Sequence, residues 1–131
     1  MVLIDRVLKV ENLHVLAEVT ITANSLFQDE NKNVPAWIGI EYMAQTIAAF
    51  AGVIHSQKNE PIKFGFLVGT RTYEAFVDYF TQGKTYLVEA TQLFIDSGLA
   101  SFECRIKEKE TERECCYAKI NVYEPENTNN L

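Results

Sequence analysis

The chain has 131 residues, 47% hydrophobic and 23% charged, which bounds it to one ordinary globular domain with a single sizeable core. Its 12 Lys and Arg against 18 Asp and Glu leave a formal net charge of −6, and no basic run supplies the concentrated positive face that a nucleic acid or an anionic membrane surface requires. The three cysteines, Cys104, Cys115 and Cys116, contain no CxxC pair, a pattern that fits a reducing compartment and not a metal site.

At the N-terminus Asp5 and Arg6 come too early, and the apolar run is too short, for a signal peptide. With no membrane-spanning segment elsewhere in the sequence, a cytoplasmic protein is expected. Residues 3–10 and 13–21 read as apolar, β-branched strands joined by a tight hairpin at Glu11-Asn12. In the second run Leu13, Val15, Ala17, Val19 and Ile21 alternate with His14, Glu18 and Thr20, which predicts one buried and one solvated face. A polar loop over 22–33 follows.

Residues 34–54 are almost wholly apolar and carry one carboxylate, Glu41, and one carboxamide, Gln45. They predict a helix over 35–54. Pro35 suits its first turn, Asn33 is placed to cap it, and Gly52 with His55, Ser56 and Asn59 marks its exit. Apolar residues on every side predict a helix buried all round, and the two polar groups in its middle rule out a bilayer span of roughly 20 apolar residues. Glu41, Gln45, Ala48 and Gly52 share one face that begins polar and turns small, so a narrow slot should run beside it. An ionised carboxylate buried without a partner costs several kcal/mol, and an acid kept neutral in an apolar cleft is a ready general acid.

After the helix, residues 63–76 open on the apolar run Phe64-Gly65-Phe66-Leu67-Val68-Gly69. Strands over 85–95, 99–107 and 113–123 follow, separated by Asp96-Ser97-Gly98 and by a charged turn over 108–112. In the last two, Ala100, Phe102, Cys104 and Ile106, then Cys116, Ala118, Ile120 and Val122, alternate with polar residues. Two strands, one long helix and four strands make a single α+β domain over 1–123, with a frayed, Asn-rich tail over 124–131. An antiparallel six-stranded sheet wrapped around one long central helix is the hotdog fold.

Two motifs carry a family resemblance. Val2-Leu3-Ile4-Asp5-Arg6-Val7 is an apolar run ending in Asp-Arg-Val, and Pro35-Ala36-Trp37-Ile38-Gly39-Ile40-Glu41-Tyr42-Met43-Ala44-Gln45 is proline, a small residue, an apolar run, then Glu-x-Met-Ala-Gln. Together with Gly65-Phe66-Leu67, they make the chain resemble the hotdog 3-hydroxyacyl-carrier-protein dehydratases of fatty acid synthesis. The resemblance covers roughly residues 1–123 and is closer to the dehydratase-like branch found with aryl polyene biosynthesis.

The resemblance implies loss of water from a 3-hydroxyacyl thioester. It makes Glu41 the acid that protonates the departing hydroxyl and Gln45 the group that orients its carboxyl. It makes the backbone N–H groups of Ala36 and Trp37 the donors that polarise the thioester oxygen. It also implies substrate contacts at Trp37, Tyr42, Phe64, Gly65, Phe66 and Arg71, although aromatic residues at these places equally suit a core. No cofactor is implied beyond the phosphopantetheine that carries the substrate on an acyl carrier protein or coenzyme A. Arg71 and Lys63 are the basic groups best placed to meet that phosphate or an acidic carrier. A homodimer, or a heterodimer with a related dehydratase, is expected, because the sheet leaves an edge and hotdog sites form between protomers.

The chain departs from this family at the base. The common dehydratases carry a histidine in Gly-His-Phe-Pro, eight positions before the matching proline, where this chain has Phe27. His14 falls on the polar face of its strand, and His55 lies at the helix exit, roughly 21 Å from Glu41 at 1.5 Å per residue. Related proteins carry Leu-Pro-His just upstream of the apolar run that begins here, which leads us to expect the base in sequence preceding Met1. Two further readings stay open. One is an acyl thioesterase in which Glu41 activates water or attacks the thioester without a histidine, and the other is a non-catalytic subunit that stabilises an active dehydratase. The plain alternatives are Glu41 as a structural acid held by backbone or by Arg6, and Gln45 as a tie between helix and sheet.

Overall fold

The structure, a computed structural model, describes residues 3–57 and 67–123. In chain order the elements are β1 (Arg6–Glu11), β2 (His14–Thr20), the short β3 (Val34–Pro35), a 3-10 turn (Ala36–Ile38), α1 (Gly39–Gln57), β4 (Leu67–Ala75), the short β5 (Tyr79–Phe80), β6 (Thr85–Asp96), β7 (Leu99–Glu108) and β8 (Glu114–Tyr123). Six of the strands form one antiparallel sheet in the order β1-β2-β6-β7-β8-β4, and β3 pairs with β5. The expected wrapping of a six-stranded sheet about one helix is present, since α1 packs against β1, β2, β6, β7 and β8.

Alternation along the strands accounts for the core. Val15, Ala17 and Val19 from β2, Val88 and Ala90 from β6, Phe102, Cys104 and Ile106 from β7, and Ala118, Ile120 and Val122 from β8 are all buried. They meet Tyr42, Met43, Ile47 and Phe50 on one side of α1. Phe50 packs edge-on against Phe102 at 5.9 Å between ring centroids, and Phe80 sits between Tyr42 (5.5 Å) and Tyr86 (5.0 Å). Thr46 is buried within this face and satisfies its hydroxyl by donating to Tyr42 O at 2.8 Å. The β6–β7 hairpin turns at Ser97 (φ 48°) and Gly98 (φ 84°), the left-handed pair that a two-residue turn demands.

Several local expectations change, each for a physical reason. Helix α1 is not buried all round: a sheet covers one side of a helix, and Glu41 and Ala48 on the far side are exposed. The β1 ladder begins at Arg6 rather than at residue 3, because the N–H groups of Leu3 and Ile4 leave the sheet and donate to Gln45 Oε1, at 2.6 and 3.4 Å. The first hairpin turns at Asn12-Leu13, with Asn12 at φ 47°, a left-handed conformation that Asn tolerates. Leu13 is therefore in the turn and 52% exposed, not on the buried face. Asn33 does not cap the helix; its Oδ1 accepts from Gln82 N at 2.9 Å, and the 3-10 turn starts after Pro35 without a side-chain cap.

Glu18, expected on the solvated face of β2, is only 3% exposed. Arg6 Nε reaches it at 2.5 Å and Lys109 Nζ at 3.2 Å, and the two long cations close over the carboxylate. Among the described residues no helix is long and apolar enough to cross a membrane.

Candidate active site

The polar start of the slot face forms a cleft. Glu41 lies in the first turn of α1 and Gln45 one turn on, and together with Leu3, Phe27, Trp37 and Ile38 they line an open, mostly apolar cavity of about 390 Å³. The wall opposite the helix is built by two segments that approach it independently. The N-terminal segment is tied down by the bonds from Leu3 and Ile4 to Gln45 Oε1. The polar loop is held by its own side chains: Asp29 Oδ1 accepts from Asn31 N and Asn33 N, and Gln28 Nε2 donates to Thr22 O and Lys32 O. This bracing presents Phe27, itself at φ 65°, to the cleft.

Glu41 thus occupies a cleft as expected, yet it is exposed in this chain, not buried. Arg6 does not hold it, because Arg6 is paired with Glu18. Gln45 does tie the helix to the N-terminal segment through its carbonyl oxygen. Ala36 departs from its expected role. Its N–H donates to Asp78 O at 3.0 Å, which continues the β3–β5 pairing and removes it as a donor to substrate. Trp37 remains at the cleft, with its side chain 65% exposed.

Tyr42 is buried in the core rather than set in the Glu41 cleft. It borders a second, polar cavity of about 210 Å³, lined also by Leu3, Asp5, Thr20, Asn24 and Leu26. Burial, followed by the nearby Asp5 and Tyr86, pushes the Tyr42 hydroxyl up to about 12, so it stays a neutral donor. Phe64, Gly65 and Phe66 lie outside the described residues, as do Lys63 and the tail over 124–131. The backbone of Arg71 sits at the irregular step of β4 between Thr70 and Thr72, and its side chain is likewise outside the description.

His14 faces Glu89 across β2 and β6, with Nε2 at 3.3 Å from Oε2, on the polar side of the sheet. His55 falls in the last turn of α1. Among the described residues no group of His, Cys, Asp and Glu could hold a metal ion. Leu3, Phe27 and Ile38 are the cleft residues not foreseen as such. The position of Phe27 relative to Pro35 was the available signal, because that is where the dehydratase motif has its histidine.

The family model for ApeP-like proteins, described as ApeP dehydratase, matches residues 1–131. Among solved structures the chain is similar to the dehydratase heterocomplex ApeI:P from Xenorhabdus doucetiae, with 28% identity, a TM-score of 0.88, and coverage of 97% of this chain and 85% of that one. In fold it is also similar to smu.793 from Streptococcus mutans bound to acetyl CoA, at 12% identity and a TM-score of 0.66, covering 93% of this chain and 88% of that one. A third similar fold is PaaI of E. coli, from the phenylacetic acid degradation operon, at 11% identity and a TM-score of 0.65, covering 93% and 79%. None of the curated proteins matches this sequence. A match along the whole chain, on a hotdog sheet with the acid of the dehydratase motif in an open cleft, means that this protein belongs to the ApeP dehydratase family.

Proposed function

We propose that this chain is the acid-bearing subunit of a two-subunit, cytoplasmic dehydratase that removes water from 3-hydroxyacyl thioesters in aryl polyene or fatty acid assembly. One observation carries the reading. Glu41 stands in an open apolar cleft, and the motif position of the missing histidine, Phe27, lines that same cleft. The site has the acid and the place for a base, but not the base itself.

In the reaction a base takes the proton from the carbon next to the thioester carbonyl, and the bond from the neighbouring carbon to its hydroxyl breaks. Glu41 protonates the departing hydroxyl, water leaves, and a carbon–carbon double bond remains. The base then returns its proton, through solvent, to the Glu41 carboxylate. Apolar walls at Leu3, Phe27, Trp37 and Ile38 suit an acyl chain. Leu3 also lines this cleft, and a partner subunit is the candidate source of the base. The ApeI:P relative is a dehydratase heterocomplex, which supports a related dehydratase subunit as the partner. A partner covering the open side would exclude water from the reacting groups. We take the substrate to arrive on the phosphopantetheine of an acyl carrier protein.

A second reading, a non-catalytic subunit, is favoured by His14 lying across the sheet at Glu89. The two separate cleanly. In the complex with a related dehydratase subunit, Glu41→Gln should lower conversion of a 3-hydroxyacyl thioester by about 10²–10⁴-fold. Unchanged turnover assigns the chemistry to the partner and makes this chain its support. Release of free thiol from plain acyl thioesters by this chain alone would show a thioesterase instead.

A further inference from the structure

We propose that Tyr73 is the positioning residue of the Glu41 cleft, acting through the Ala36 carbonyl and requiring glycine at position 39. The proposal rests on the reading of Glu41 and Trp37 as parts of the reacting site, and adds the residue that places them.

Ala36 O accepts two hydrogen bonds. One comes from Gly39 N–H, which closes the 3-10 turn, and the other from the hydroxyl of Tyr73 on β4. Both lone pairs of that carbonyl are therefore occupied. The Tyr73 hydroxyl also lies 3.2 Å from Cys116 Sγ on β8, so the contact is anchored in the sheet as well as in the helix start. Burial, then the Cys116 contact, pushes the Tyr73 hydroxyl upward from its ordinary value, and it remains a donor at any working pH.

The approach is possible because residue 39 has no side chain. A Cβ there would collide with Tyr73 Oη and crowd Ile106 Cδ1 and Phe80 Cζ at 3.1 Å each. Gly39 thus has a steric reason independent of helix propensity, which it lowers. The consequence falls on Trp37. Its side chain is 65% exposed, so packing does little to locate it. Its place follows instead from the Ala36–Trp37 peptide, a trans, planar unit whose oxygen Tyr73 holds. Glu41 follows one turn later on the same rigid start of α1, so the clamp sets both cleft residues relative to β4 and β8.

Trp37 is the only tryptophan in the chain, which makes its fluorescence a direct report. In the full chain, Tyr73→Phe should keep cooperative thermal unfolding while the emission anisotropy of Trp37 falls. In the complex, its kcat should drop roughly 10-fold with KM unchanged, as expected when reacting groups are present but misplaced. Gly39→Ala, which drives the hydroxyl off the carbonyl from the helix side, should give the same signature and decides the matter if Tyr73→Phe does not fold. Wild-type anisotropy in a folded variant overturns the proposal, whatever the turnover. Lowered anisotropy in Tyr73→Phe together with turnover insensitive to Glu41→Gln keeps the clamp and removes Glu41 as the acid.

Discussion

Glu18 and Glu41 are each the only acid of an apolar element, and they end in opposite environments. Glu18 is buried under Arg6 and Lys109, and the Arg6 hydrogen bond holds its carboxyl below the usual carboxylate range against the opposing effect of burial. Glu41 is exposed, and among the described residues its carboxylate has neither a cation nor a hydrogen-bond donor bound to it. The difference teaches that a carboxylate whose acceptor sites are filled is committed to the fold. One left open beside apolar walls is available to a reacting group. Burial taken alone would have assigned the roles the other way round.

The sharpest break of this comparison is to remove each charge in turn. Glu41→Gln should abolish most conversion of a 3-hydroxyacyl thioester in the complex while leaving the thermal midpoint near wild type. Exposed substitutions away from packed features usually stay within about 0.5 kcal/mol. Glu18→Gln should do the reverse, costing about 2 kcal/mol in urea unfolding as two charge-assisted hydrogen bonds weaken, with turnover per folded molecule retained. The cost stays moderate because the partners are well hydrated, Arg6 being 71% and Lys109 54% exposed in their side chains. A stability loss in Glu41→Gln equal to that in Glu18→Gln would erase the distinction.

Acid titration sharpens it further. The folded-state value of Glu18 lies below its ordinary 4.5, so at pH values between the two the unfolded chain binds more protons. The stabilisation is therefore complete above 4.5 and is lost as pH falls through the lower, folded value. Chemical denaturation across that window should show wild type losing stability more steeply than Glu18→Gln. Parallel curves would mean that the ion triad contributes nothing.

The smallest effect concerns burial acting without a cation. Cys104 and Cys116 share the inward side of β7 and β8, where burial pushes their thiols up to about 12 and about 11. Neither should be alkylated by iodoacetamide at pH 8 in the native protein, because the reactive thiolate is scarce and enclosed, and both should react after unfolding. Fast native labelling, followed by mass spectrometry, would show that the sheet opens.

Much of the architecture follows from local pattern. The two-residue period along β6, β7 and β8 sends Val88, Cys104 and Ala118 inward, and the turn at Ser97-Gly98 needs only a left-handed pair at the end of a hairpin. The helix that carries Glu41 and Gln45 on one face was legible for the same reason: a 3.6-residue period is a property of the chain itself. Which side of that helix meets the sheet was not legible, because apolar residues occur all round it. Glu41 was expected inside and stands outside.

What the sequence determined by itself is therefore the sheet-and-helix fold, the family, and a lone carboxylate on the helix with Phe27 at the motif position of the histidine. Only the tertiary structure decided what each group is for. It gave Arg6 to Glu18, the Ala36 N–H to Asp78, the Ala36 carbonyl to Tyr73 and the Gln45 carbonyl to Leu3 and Ile4. These partners are far apart in the chain and no local period relates them. Hydrogen bonds and ion pairs are short-ranged, so which groups they join depends on which elements the folded sheet brings within about 3 Å of one another.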